Sequence, residues 1–269
     1  MRAGAGPRRV ELALAHAAIA AVVAGLWISG ATLLAERAGS RVGGLVGNLP
    51  SNILVGLLFV ALTQGIPFVA RATLAVPIGM SIDALFLVAF VLLLPRGLAT
   101  AIAGSLALWL ALAIVAQRIA FEHLGASLAM FLVATVLAFW FLERRVRSVE
   151  GTRRPYGPGD LATRAALGGT VVGGTVLLAG ALGSYWTGLL GTFPAVLLST
   201  LVILARKQGV AFAQATGKAL VLGSTNIVVY ALVVRWAYPA IGVGWGTALA
   251  LAAAVAWVAA LRPLVRRVS

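Results

Sequence analysis

The sequence predicts an all-α polytopic membrane protein with about nine transmembrane helices, arranged as two four-helix repeats joined by an extra helix. The first observation behind this prediction is a mean hydropathy of +1.04. The second is a charged fraction of only 10% over 269 residues, against about 25% in soluble domains. The third is a similarity of the chain to itself at a spacing of 144 residues.

The composition excludes several classes of protein. Cysteine is absent, so disulfides, thiol nucleophiles and thiolate metal sites are impossible. The two histidines, His16 and His123, form no metal motif, and no glycine-rich nucleotide-binding motif is present. We therefore expect no metal, no cofactor and no enzymatic activity. An enzyme acting on lipid within the membrane would need a reactive cluster of residues in the spans, and the pattern offers only one acid.

The net charge of +14 would suggest nucleic acid as a partner of a soluble protein. Here most arginines and lysines lie at the ends of apolar segments, which the positive-inside rule explains. We therefore expect membrane lipids with anionic headgroups as partners, and no nucleic acid.

Nine apolar segments are candidate helices, each with ends uncertain by a few residues. They are 10–35, 43–63, 68–94, 97–117, 121–142, 162–183, 187–205, 211–236 and 241–261. The basic start, Met1 to Arg9, resembles a signal sequence, but the apolar run after it is long enough to be a retained first helix. The polar stretch Glu143 to Asp160 reads as a linker. The predicted units are residues 10–118, residues 119–160 with the fifth helix and the linker, and residues 161–262.

The repeat is carried by proline and glutamine as well as by common apolar residues. The segment 44–50, GLVGNLP, aligns with 188–194, GLLGTFP, and Gln64-Gly65 then falls on Gln208-Gly209. Roughly a quarter of the positions from 21 to 92 are identical to those 144 residues later. Chance explains the positions at which leucine aligns with leucine, but it explains the matched prolines and the matched Gln-Gly pair poorly.

The charges favour an inverted relation between the two units. Predicted helices 1–4 match helices 6–9, so the unmatched fifth helix reverses the second unit if it crosses the membrane. Basic residues follow helix 1 but not helix 6, and follow helix 7 but not helix 2 (Arg37 and Arg41; Arg206 and Lys207). Such alternation is typical of inverted repeats. The alternative is a parallel arrangement in which segment 121–142 does not cross.

Matched prolines predict matched helix breaks. Pro50 and Pro194 each remove a backbone hydrogen bond within a predicted helix. In transporters with inverted repeats, broken helices meet near the middle of the membrane and hold the substrate there. The alternative is a packing kink without a functional role.

A second matched pair lies on predicted helices 3 and 8, where Pro77, Gly79 and Gly223 are further candidate break residues. Polar residues accompany all these positions and could either line a substrate cavity between helices 2, 3, 7 and 8 or hold helices together. They are Asn48, Ser51, Asn52, Ser81, Thr192, Thr225 and Asn226.

Two charges lie within predicted spans. Asp83 is expected near the middle of the membrane, where an ionised carboxylate is costly. It is therefore a candidate proton, cation or substrate site, or else an acid that locks helices together. Lys218 either extends its side chain to the interface or pairs with Asp83 or an anionic substrate. Separately, Gly169 and Gly173, echoed by Gly25 and Ser29, predict close packing of helices 1 and 6.

We expect a secondary carrier that works by alternating access on a small solute or a lipid; a lipid flippase would use the same frame. The alternative is a non-transporting assembly or scaffold subunit whose basic linker docks a partner. The expected location is a bacterial plasma (inner) membrane. Assembly into a homo-oligomer is compatible with this pattern.

Overall fold

The computed structural model describes residues 7–37, 49–119, 123–147, 149 and 155–268. Every regular element in these ranges is helical, so the predicted all-α class is confirmed. The α-helices are α1 (Pro7–Arg37), α2 (Ser51–Gln64), α3 (Ile66–Ala72), α4 (Val76–Leu93), α5 (Leu98–Ile119), α6 (Leu124–Glu143), α7 (Pro158–Gly191), α8 (Ala195–Gln208), α9 (Val210–Gly223) and α10 (Asn226–Val268).

Six helical segments of the described chain are long and apolar enough to cross a membrane. They are Glu11–Arg37, Ile66–Arg96, Leu98–Arg118, Leu124–Glu143, Pro158–Gln208 and Val210–Leu261. The helix α2 is apolar but shorter, with 14 residues. These lengths, together with the hydropathy, are those of an integral membrane protein.

The last two segments, of 51 and 52 residues, are more than twice the length of about 20 residues that one crossing needs. Each is interrupted by a glycine with positive φ, Gly183 at +82° and Gly242 at +80°. Glycine adopts this backbone conformation without the clash that a Cβ atom would cause. One predicted boundary is corrected here: residues 238–240, taken as a loop, are helical, and the path changes at Gly242 instead.

The predicted proline breaks coincide with the starts of α2 and α8. Pro50 and Pro194 precede these helices with non-helical ψ values of 58° and 39°. Both helices have 14 residues, and both end at a glycine with positive φ, Gly65 at +87° and Gly209 at +90°. Residues 44–48 of the first break, including the candidate Asn48, lie outside the described residues.

The third span does not break at Pro77 as predicted but tightens just before it, with helical φ and ψ on both sides. A 3-10 turn, Thr73–Ala75, separates α3 from α4, and Pro77 is in the first turn of α4, where its missing N–H is no loss. The guanidinium of Arg235 on α10 donates a hydrogen bond to the carbonyl oxygen of Ala70 beside this turn. Gly79 is corrected: it lies inside regular α4 rather than at the break, and its role is close packing.

Small residues bring α1 and α7 into close contact. A methyl group on Gly169 would lie 2.7 Å from the carbonyl oxygen of Ala21, and one on Gly25 would lie 3.3 Å from that of Ala165. Gly173 likewise faces the backbone of α1. Because contacts move toward the start of α1 as they move toward the end of α7, the two helices are antiparallel. The close approach that the glycine spacing predicted is therefore present.

A polar cluster gathers three helix ends on one side of the molecule. The backbone N–H of Tyr156 donates to the Glu36 carboxylate at the end of α1, over 2.6 Å. Lys207 at the end of α8 forms an ion pair with Asp160 in the first turn of α7. The end of α1, the start of α7 and the end of α8 thus lie together beside the linker.

Candidate functional site

The centre of the candidate site is the carboxyl group of Asp83 on α4. Its side chain is 1% exposed and lies among the buried apolar residues of that helix. One carboxyl oxygen, Oδ1, accepts a hydrogen bond of 2.8 Å from the indole N–H of Trp109 on α5. The other oxygen, Oδ2, is buried and has no hydrogen-bond partner within the described part of the chain. A buried polar atom left in this state costs free energy, and a functional role is one explanation of its presence.

Trp109 connects Asp83 to the turn between α7 and α8. Its side chain is 2% exposed, and its ring meets the ring of Phe193 edge-to-face, with 5.0 Å between centroids and 75° between planes. Sequence analysis missed this residue. The signal was present, because Trp109 lies in the interior of a span, whereas tryptophans in membrane proteins concentrate at the interfaces.

The turn itself packs against α4, one helical turn before Asp83. The Thr192 side chain occupies the space that a side chain on Gly79 would need, so any Cβ atom there would overlap it. The Thr192 hydroxyl donates a 2.7 Å hydrogen bond to the carbonyl oxygen of Leu189. The break at Pro194 and the acid Asp83, far apart in sequence, are therefore neighbours in the fold.

Asn52 reaches the same turn from α2. Its amide nitrogen donates to the carbonyl oxygen of Phe193 at 3.5 Å, the upper limit for a hydrogen bond. Its Oδ1 faces Gly168 of α7 and has no hydrogen-bond partner among the described residues. Ser51 bonds locally, to the carbonyl oxygen of Leu49. Asn52 thus contacts the turn directly and Asp83 reaches it through Trp109, and each has a buried oxygen without a hydrogen-bond partner among the described residues.

The candidates on the second unit form a separate cluster at the junction of α9 and α10. Asn226 donates to the carbonyl oxygen of Gly223 over 2.8 Å, and Thr225 donates to that of Leu222 over 2.7 Å. The Thr225 hydroxyl also accepts from the indole N–H of Trp257 at 2.9 Å. On α4, Ser81 donates to the carbonyl oxygen of Pro77 over 2.8 Å. These bonds satisfy backbone carbonyls at the breaks.

Lys218 has a carboxylate partner at the end of α6. Its side chain is 1% exposed, and its Nζ lies 3.1 Å from Oε2 of Glu143, whose side chain is 45% exposed. Nζ also donates to the carbonyl oxygen of Val146 over 3.3 Å. The ammonium group therefore points toward the linker, which supports the prediction that this side chain extends to the interface.

Arg164 is a buried charge that sequence analysis overlooked. It is on the second turn of α7, and its guanidinium donates to the hydroxyl of Thr200 on α8 and lies over the ring of Tyr156 at 5.1 Å. The sequence signal was weak, because an arginine near the start of a span is normally an interfacial anchor.

No family model matches the chain, and no curated protein or solved structure matches it either.

Proposed function

We propose that this chain is a secondary carrier built from two inverted four-helix repeats, with its central site at Asp83. The observation that carries the proposal is the position of this acid. Asp83 is buried within a span that tightens into a 3-10 turn at 73–75, and the broken helix end at 192–194 packs on this span one helical turn before the acid. Broken helices around a buried polar group are the architecture by which carriers bind substrate and ions within the membrane.

The helix bounds support the repeat. Shifted by 144 residues, Ser51–Gln64 becomes 195–208, which are the bounds of α8. The proline before each helix and the glycine of positive φ after it correspond in the same way. The breaks at Gly183 and Gly242 lie within a few residues of the predicted boundaries between spans 162–183 and 187–205 and between spans 211–236 and 241–261.

The contacts between α1 and α7 support inversion. The repeat relates Gly25 to Gly169 and Ala21 to Ala165. The contact of Gly25 with Ala165 is therefore exchanged by the repeat with the contact of Gly169 with Ala21. Reciprocal contacts of this kind are what a two-fold axis produces. Parallel repeats would make these two helices run in the same direction, whereas they are antiparallel.

Orientation can be tested because the chain contains no cysteine. Single-cysteine variants Gln64→Cys and Gln208→Cys place thiols at equivalent loops and are labelled in intact cells with a membrane-impermeant reagent. Inverted units predict that only position 64 is labelled from outside. Labelling of both positions only after permeabilisation indicates parallel units and removes the main support for a carrier.

Alternating access can be tested without knowing the substrate. A cysteine in place of Thr192 is buried at the proposed site, and a carrier must expose it to each side of the membrane in turn. Right-side-out and inside-out vesicles are treated with a small impermeant methanethiosulfonate. We expect Thr192→Cys to be labelled in both preparations.

The matched control is Ser105→Cys, an equally buried small polar position on α5 away from the breaks. It should be labelled in neither preparation. A static scaffold subunit predicts that Thr192→Cys behaves like this control. It also predicts that Asp83→Asn is harmless in cells while changes in the linker are not, the reverse of the carrier's expectation.

A further inference from the structure

We infer that Asp83 is a proton-binding site, and that Trp109 and Phe193 transmit its protonation to the turn between α7 and α8. This inference rests on the proposed carrier function and names its coupling ion. It begins from the two carboxyl oxygens, of which one accepts the Trp109 N–H and the other is buried without a partner in the described structure. Both oxygens are buried within a span, where an ionised group needs several donors.

The geometry suits the neutral acid. A single N–H donor at 2.8 Å leaves most of the charge of a carboxylate uncompensated, whereas the carbonyl oxygen of a carboxylic acid needs only that one bond. This arrangement therefore favours the neutral acid, with its proton on Oδ2. When the proton leaves, the new charge requires further donors, which only a movement of neighbouring groups or an entry of water can supply.

Other charged groups do not neutralise Asp83 in the described structure. The elements packed against α4 carry charged or titratable side chains with other contacts. They are Arg96 bonded to Leu92, Asp160 paired with Lys207, Arg164 bonded to Thr200, Tyr185 bonded to Ala113, Glu143 paired with Lys218, Arg235 bonded to Ala70, Tyr238 bonded to Thr247, and Tyr230 beside Tyr238. Arg118 at the end of α5 is exposed.

A proton fits this site better than a metal cation or an organic cation. A metal cation needs several oxygen ligands at once, and the described residues hold no group of three histidine, cysteine, aspartate or glutamate side chains. An organic cation needs room beside the carboxyl group. The Asp83 side chain is 1% exposed and lies against the equally buried Trp109, which leaves little room there. A proton needs neither ligands nor space.

The path from the acid to the turn is short and made of rigid groups. The indole ring of Trp109 bonds Asp83 on one edge and meets the ring of Phe193, the residue before Pro194, over 5.0 Å. The carbonyl oxygen of Phe193 accepts a 2.7 Å bond from the backbone N–H of Ala195 and a long bond, of 3.5 Å, from Asn52. A charge on Asp83 strengthens its bond to the indole N–H. The resulting shift of the indole ring acts directly on the Phe193 ring, and through it on the turn.

The first test observes the proton itself. Infrared difference spectra of purified protein in lipid detect the carbonyl stretch of a protonated carboxylic acid. We expect a band at neutral pH that Asp83→Asn removes and Asp83→Glu retains at a new position. Trp109→Phe should shift the band, because the hydrogen bond to its carbonyl oxygen is lost. Trp257→Phe, which removes the other indole bond within a span, and Glu143→Gln should leave it unchanged.

The second test observes transmission. The labelling rate of Thr192→Cys is measured across a range of pH in two backgrounds, with Asp83 present and with Asp83→Asn. The ratio of the two rates cancels the reactivity of the thiol itself. We expect a ratio that changes at least several-fold with pH, and that becomes constant when Trp109→Phe is added. A ratio that is constant with pH while Trp109 is still present, or an absent infrared band, overturns the inference.

The two proposals can fail independently. Labelling of position 192 from both sides, without the infrared band, leaves a carrier that uses another ion or none. The band without labelling from both sides leaves a buried acid in a protein that does not alternate. An organic cation as the ligand would appear as a band that disappears when that cation is added at constant pH.

Discussion

The seam between α1 and α7 provides a quantitative test of the fold. Alanine at position 169 adds a methyl group 2.7 Å from the carbonyl oxygen of Ala21, well inside the ordinary contact distance of 3.4–4 Å. Because the obstacle is backbone, the helices must separate to relieve the overlap. Such overpacking costs about 1–3 kcal/mol. Alanine also has a higher helix propensity than glycine, by about 1 kcal/mol, which acts in the opposite direction.

A control on the same helix cancels the gain in helix propensity from the comparison. A methyl group on Gly174 would meet nothing within 4 Å, so Gly174→Ala keeps the gain without the overlap. We expect Gly169→Ala to be less stable than Gly174→Ala by about 1–3 kcal/mol. Gly25→Ala, with 3.3 Å to the carbonyl oxygen of Ala165, should fall between them.

The assay is unfolding in mixed micelles with increasing fractions of a denaturing detergent, followed by circular dichroism. Each variant yields a free energy of unfolding, and the difference between variants is compared with the expected range. Equal stabilities for Gly169→Ala and Gly174→Ala would refute the antiparallel seam, and with it the reciprocal contacts that support inverted repeats.

Three further predictions use the same assay. Gly188→Ala places a methyl group in overlap with the carbonyl oxygen of Ala72 and should lower the free energy of unfolding at least as much as Gly169→Ala. An unchanged stability would show that the end of α7 does not pack on the third span. Glu143→Gln leaves the buried ammonium of Lys218 without its carboxylate and should destabilise the protein more than Lys218→Met does. Because the carboxylate is half-exposed, the ion pair itself contributes only about 1 kcal/mol. If Lys218→Met proves the less stable variant, the pairing is contradicted. Asn52→Leu removes an unsatisfied acceptor and should stabilise by about 1 kcal/mol while reducing transport, and a loss of stability would indicate a structural role.

The helix breaks were predictable because they depend on local backbone chemistry. Proline cannot donate to a helix and glycine tolerates positive φ, so the starts of α2 and α8 follow from Pro50 and Pro194. One predicted boundary was misplaced. The predicted spans 211–236 and 241–261 leave a gap between them, but the helix continues through Pro239 to Gly242, since membrane helices can accommodate a proline when neighbours satisfy the freed carbonyl.

The candidate site was only partly predictable. Asp83 was identified from sequence, because a carboxylate in an apolar span is costly wherever its partners lie. Its hydrogen-bond partner was not, because Trp109 is 26 residues away on another helix. Lys218 shows the same limit: its charge is visible in the sequence, but the choice between Asp83, the interface and Glu143 depends on how α6 and α9 meet.

The sequence by itself determined the helical class, the apolar lengths, the breaks and the presence of one buried acid. All of these follow from hydropathy and from the local preferences of proline and glycine, which act over a few residues. The tertiary structure decided that the turn at 192–194 lies against Gly79 and Trp109, beside Asp83, and that α1 and α7 are antiparallel. Contacts between distant segments depend on which helix faces fit together, and that is a property of the packed chain rather than of any local pattern.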